Sequence, residues 1–188
     1  MSYAIRRKAL WTLFLFGLLL LAIASRATTL ARLSFDELAV KATAIVRARC
    51  LASSSIWRNG EIWTETEFEV LEIDKGTSPG VLRISLPGGK VAHIQSRIDS
   101  VPGFREGEEA YLFLWNAPGK EVYVLGWAQG TFRISRDART GLRRVTQDSA
   151  AVPVFDTTTR QFRTDGVRNL SLAAFQIKLK KALARAHL

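Results

Sequence analysis

Two runs of strict alternation flank an Asn-Gly pair, and this restricts the fold more than anything else in the 188-residue chain. Val46, Ala48 and Cys50 alternate with Arg47 and Arg49. Thr66, Phe68 and Val70 alternate with Glu65, Glu67 and Glu69. Successive side chains of a strand point to opposite faces, so a period of two marks a strand with one buried and one wet face. Asn59-Gly60 sits between the runs and is a strong hairpin signal.

Parity adds a condition. Facing residues of paired antiparallel strands share a face, and their numbers have a constant sum. Both inward sets are even-numbered, so that sum must be even. A two-residue Asn59-Gly60 loop pairs Arg58 with Glu61, which is odd and sets Arg49 against core Val70. The hairpin is therefore expected to contain a three-residue loop or a bulge, with Gly60 left-handed. Trp57 then faces Glu61, and Arg49 faces Glu69.

More strands are predicted over 81–86, 110–115, 122–125, 131–134 and 142–146, the last after a turn at 137–141. The 110–115 run is densely apolar and suits a strand buried on both faces. Residues 152–155 read as an edge strand, since Pro153 has no N–H for a ladder. Residues 90–103 are irregular and read as a long loop, where a hidden site would sit. Ser34 and Glu37 form a capping box for a short helix to about Thr43. Ser171 can cap a second helix to about Ala186, with Leu172, Phe175, Leu179 and Leu183 in one stripe and Lys178, Lys181 and Arg185 opposite.

The first 27 residues read as a signal peptide. Arg6, Arg7 and Lys8 precede an apolar run from Ala9 to Ala24, shorter than a membrane span needs. Small residues allow cleavage after Ala24 or Ala27. A secreted or periplasmic location follows, with 28–188 as a single β-rich domain. Cleavage after Ala27 removes Arg6, Arg7, Lys8 and Arg26, lowering the formal charge of +10 by four. The remaining excess reads as a solvated surface, with peripheral contact with an anionic membrane surface as the alternative. Cys50 is the single cysteine, so the domain must rely on its core rather than on disulfides. Its phase places it inward, as a buried structural thiol.

No catalytic residue, cofactor or metal ligand is indicated. Gly76-Thr77-Ser78-Pro79-Gly80 matches G-x-S-x-G, but Pro79 cannot donate the N–H that an oxyanion hole needs. Glu65, Glu67 and Glu69 read as a charged outer strand face. His93 and His187 are too few and too far apart for zinc. Trp57 and Trp63 share parity, and two tryptophans on one polar face would grip a partner protein or stack a sugar.

Several phrases carry a resemblance: Ala44-Ile45-Val46-Arg47-Ala48, Asp74-Lys75-Gly76, Phe104 to Phe113, and Gly126 to Phe132. Over about 39–134 the chain resembles a group of uncharacterised exported bacterial proteins. More remotely it is similar to the netrin-like domain of the tissue inhibitors of metalloproteinases. The resemblance implies a mainly β fold, a five-stranded OB-like barrel. Extra C-terminal strands, a short N-terminal helix and an amphipathic C-terminal helix (a hairpin and helix over 135–188) complete the expected architecture. Those inhibitors use an N-terminal cysteine on zinc. Neither mature N-terminus, Ser25 or Thr28, has one, so no functional residue carries over.

The expected function is an exported, non-catalytic binding module whose partner is another exported or envelope protein. The alternatives are a partner or inhibitor of an exported metalloprotease, and an OB-type nucleic-acid or glycan binder. Export argues against nucleic acid.

Overall fold

A computed structural model describes residues 31–116 and 121–186. The expected signal peptide, with its cleavage after Ala24 or Ala27, lies outside the described residues. Among the described residues no helix is long and apolar enough to cross a membrane.

The fold is mainly β, with a short helix near its start and a longer one at its end. Helix α1 spans Phe35–Lys41. Its capping box forms as expected: the Glu37 N–H donates to Ser34 Oγ at 3.2 Å, and the Ser34 N–H donates to Glu37 Oε2 at 2.7 Å. Lys75 Nζ covers the other end, donating to the Ala39 and Val40 carbonyls at 2.8 Å each. Helix α2 spans Leu172–Ala186, and Ser171 Oγ accepts from the Ala174 N–H at 3.2 Å.

Strands β1 (Ala44–Arg58) and β2 (Glu61–Lys75) form the expected hairpin, but with a different register at its tip. Asn59 and Gly60 both have positive φ, 53° and 82°, as a two-residue type I′ turn requires. Arg58 therefore pairs with Glu61, and Trp57 faces Ile62 rather than Glu61. The bulge that parity demands lies eight residues away. The register shifts between Cys50 and Ala52, so Leu51 is the extra residue and Arg49 still meets Glu69.

Strands β3 (Val81–Pro87), β6 (Glu109–Trp115), β7 (Tyr123–Val124), β8 (Thr131–Arg136), β9 (Arg143–Gln147) and β12 (Leu170–Ser171) complete an antiparallel sheet. Its order is β12-β9-β8-β6-β1-β2-β3, with β7 also on β6. A straight strand as long as β1 spans about 50 Å. Yet β1 starts beside Leu114, which also pairs with Val124 of β7, and ends with Arg58 Nη1 at 3.7 Å from Glu121. The ribbon must therefore bend, and its register shifts are where a sheet can do so. β3 comes alongside β7 but shares no ladder with it, so the sheet stays open.

Two cores lie on the two faces. On one, Val46, Ala48 and Cys50 pack with Phe68, Ile84, Phe104, Leu112 and Val124. On the other, Ile45, Tyr111, Phe113 and Phe132 meet Leu38 of α1 and Phe175 and Leu179 of α2. β6 is buried on both faces, as its apolar run predicts.

Two expectations need correction. The 90–103 segment is not wholly irregular, because β4 (Gly89–Val91) and β5 (Ile94–Ser96) form a small hairpin at its start. The strand expected over 152–155 is β10 (Val154–Asp156). It pairs with β11 (Gln161–Arg163) in a separate two-stranded sheet, and Pro153 stands just before it.

The β1–β2 pairing leaves Asp74 in an awkward place. Its Oδ2 is buried without a hydrogen-bond partner among the described residues. Burial, then the Glu72 charge, raises its carboxyl above the usual range, while Arg47 and Lys180 pull the other way. A raised folded-state value means that the native chain binds the extra proton. Stability from this group is thus lost as pH rises above the unfolded value near 3.8. Asp74→Asn is expected to raise the urea midpoint at pH 7 and to change it less at pH 4.

Candidate functional site

Among the described residues, a cleft of about 1050 Å³ lies between the two small sheets. Gln95 to Gly103 line one part. Val152, Pro153 and Phe162 line another, and Thr64, Pro87, Gly88 and Trp127 complete it. The β1–β2 ribbon positions it. Past the bulge, Ser53 and Ser55 turn to the face of Thr66 and Thr64, and the hydroxyls pair at 3.1 and 3.0 Å. Thr64 Oγ1 donates to the Gly88 carbonyl at 2.7 Å, and the Gly88 N–H donates to the Ile62 carbonyl at 2.8 Å. The Lys90 N–H donates to Ser55 Oγ at 3.1 Å. These bonds seat the β4–β5 hairpin on the ribbon.

That seating needs Gly89. Its φ is +134°, and a Cβ there would overlap Ser55 Oγ and Thr64 Oγ1. Gly89→Ala is expected to destabilise the fold by at least about 1 kcal/mol and to loosen the β4–β5 hairpin first. Amide exchange should report this as faster opening at Lys90 to Ser96 than in α2.

Across the cleft the backbone is strained at two lining residues. Ser100 has φ 67° and Trp127 has φ 50°. The Ala128 N–H donates to the Ser100 carbonyl at 2.9 Å and joins the two segments. Arg133 fixes the end of the loop, donating to the Gly103 carbonyl at 2.6 Å while its other nitrogens hold Asp148 and Glu108.

The cleft presents apolar side chains to solvent. Phe162 is 62% exposed and Ile98 is 40% exposed. Arg97 and Asp99 flank Ile98, one charge of each sign. Among the described residues, β5 pairs only with β4, and β11 only with β10. Each therefore leaves one edge of N–H and C=O groups unpaired among the described residues.

The two tryptophans do not share a surface. Trp57 lies opposite Ile62 and Trp63 opposite Ile56, so they point to opposite faces of the ribbon. Trp57 is 50% exposed. Trp63 is partly covered by the Arg58 guanidinium, 4.1 Å above its ring. Cys50 is buried, as its phase predicts. Burial raises its thiol, which reaches the Ala52 carbonyl at 3.7 Å. Glu67 and Glu69 pair with Arg83 at 2.7 Å and Arg49 at 3.4 Å, an outer charged face. Ser78 is in the turn before β3, and its hydroxyl donates to the Pro79 carbonyl at 3.2 Å. No group of three or more His, Cys, Asp or Glu is placed to hold a metal among the described residues.

Comparison with protein-family models, with curated proteins and with solved structures finds no match to this chain. The cleft was only partly legible in the sequence. The 90–103 segment drew attention for its irregularity, but Phe162 carried no signal, because only the folded chain brings it there.

Proposed function

We propose that this chain is an exported, non-catalytic binding module that holds an extended segment of another exported or envelope protein in the cleft. One observation carries the reading: two small sheets flank a single cleft, each with an unpaired strand edge and an exposed apolar side chain nearby. An unpaired edge supplies main-chain hydrogen bonds to an extended peptide, and pockets for alternate side chains supply specificity. The volume of about 1050 Å³ lies just above the range for small-molecule pockets, about 300–1,000 Å³, and suits several residues of peptide. The curl of β1, β2, β3, β7 and β6 around one core supports an OB-like, partly open barrel as the framework.

The test is binding of secreted proteases and cell-envelope proteins to the immobilised chain. Ile98→Asp/Phe162→Asp is expected to weaken binding roughly tenfold or more, whereas Trp57→Ala/Trp63→Ala leaves it unchanged. The reverse outcome would move the site to the ribbon. Inhibition of a bound metalloprotease would select the inhibitor reading instead.

A further inference from the structure

Four segments meet at one guanidinium. Arg133 projects from β8 and carries its N–H donors in a fixed fork. Nε and Nη2 donate to the two carboxylate oxygens of Asp148 at 2.7 and 2.9 Å. Nη1 donates to Glu108 Oε2 at 2.6 Å, and Nη2 also donates to the Gly103 carbonyl at 2.6 Å. Its Cζ lies 4.9 Å from the centre of the Phe104 ring. Asp148 opens the helical turn Asp148–Ala151 after β9, and Glu108 stands just ahead of β6. Gly103 lines the cleft. One side chain thus ties the cleft wall to two carboxylates.

The two carboxylates differ. The Asp148 side chain is 18% exposed and that of Glu108 is 36% exposed. Asp148 takes two of the four bonds from Arg133, whereas Glu108 takes one and is also bonded by the Arg105 N–H at 3.2 Å. The charged groups facing Asp148 are Arg133 from β8, Glu108 ahead of β6, and Arg168, which shares a cavity wall with it. Burial raises the Asp148 carboxyl above its ordinary value of 3.8, Arg133 pulls it down, and the Glu108 charge adds to the rise.

A bond from a guanidinium to an ionised carboxylate is roughly twice as strong as one between neutral groups. A proton on Asp148 therefore removes the anion that orients the fork. We propose that this network is an acid-sensitive latch on the cleft: with Asp148 ionised, Arg133 grips the Gly103 carbonyl and holds the wall for a ligand, and a proton on Asp148 draws Arg133 toward Glu108 and releases Gly103. The latch is closed near neutral pH and opens as pH falls through the raised Asp148 value. The effect on a ligand rests on the peptide reading of the cleft, whereas the release of Gly103 does not.

The test follows the ¹³C signals of Asp148 Cγ and the Gly103 carbonyl in the full chain, without ligand, from about pH 7 to about pH 4. The two are expected to titrate together, with a midpoint above 3.8. Asp148→Asn should hold the Gly103 signal near its acid position at every pH. Glu108→Gln should lower the shared midpoint without separating the two signals. A Gly103 signal that does not follow Asp148 in the wild type would overturn the latch, whether or not Asp148→Asn folds. A linear peptide selected against the wild type should bind several-fold more weakly at about pH 4.5 than at about pH 7, and by linkage should lower the Asp148 midpoint. Equal binding at both pH values would overturn the latch as a control on the cleft. Joint titration of Gly103 and Asp148 with no peptide bound at either pH would uphold the latch and remove the peptide reading alone.

Discussion

Phe175→Ala is expected to cost about 3–5 kcal/mol of stability, among the largest losses that a single truncation produces. Phe175 is fully buried where α2 meets the sheet. Its ring lies 5.7 Å from Phe35 in an edge-on arrangement, 4.8 Å from Tyr111 and 5.2 Å from Phe132. The truncation therefore loses transfer free energy and three aromatic contacts at once, and leaves a cavity between rigid neighbours. Urea unfolding measures it, with Lys181→Ala on the exposed side of α2 as a control that should change stability by less than about 0.5 kcal/mol. A loss below about 1 kcal/mol for Phe175→Ala would mean that α2 does not dock as described.

Arg133→Met is the second large effect, expected at about 2–4 kcal/mol. Arg133 holds Asp148 at 2.7 and 2.9 Å and Glu108 at 2.6 Å, and it stacks over Phe104 at 4.9 Å. The Asp148 side chain is 18% exposed, so removing its partner strands a charge out of water. Burial already raises the Asp148 carboxyl despite Arg133, and losing that cation raises it further. The variant's native state would then hold a proton that the unfolded chain releases above about 3.8. The penalty should therefore be greatest at neutral pH and shrink as pH falls toward 4. Because Arg133 also ties the Gly103 carbonyl, the variant should free the loop that lines the cleft.

The strands were legible because burial reads them out. Wherever one face meets a core, as from Val46 to Cys50, alternation in the sequence matches alternation in the fold. The same logic showed that the hairpin must change register somewhere, and parity alone cannot say where. The turn chemistry won at the tip, since Asn59 and Gly60 both accept positive φ. The shift moved to Leu51, where β1 leaves its core and Ala52 to Ser54 lie exposed. Those small side chains carry no pattern to reveal it. The two-residue turn also puts Trp57 and Trp63 on opposite faces, where parity alone placed them together. The cleft was harder still, since residues as distant in sequence as Thr64, Ile98 and Phe162 meet there only through tertiary structure.

Binding of an extended peptide in the cleft is the proposal on which the functional reading rests. The most direct measurement selects linear peptides from a random library against the wild-type chain, with Ile98→Asp/Phe162→Asp as the counter-selection. The selected peptides are then mapped by amide chemical shifts. The selected peptides are expected to shift Gln95 to Gly103 and Gln161 to Arg163 and to bind the variant roughly tenfold or more weakly. Shifts confined to the ribbon around Trp57 or Trp63, or binders that the variant retains in full, would contradict it.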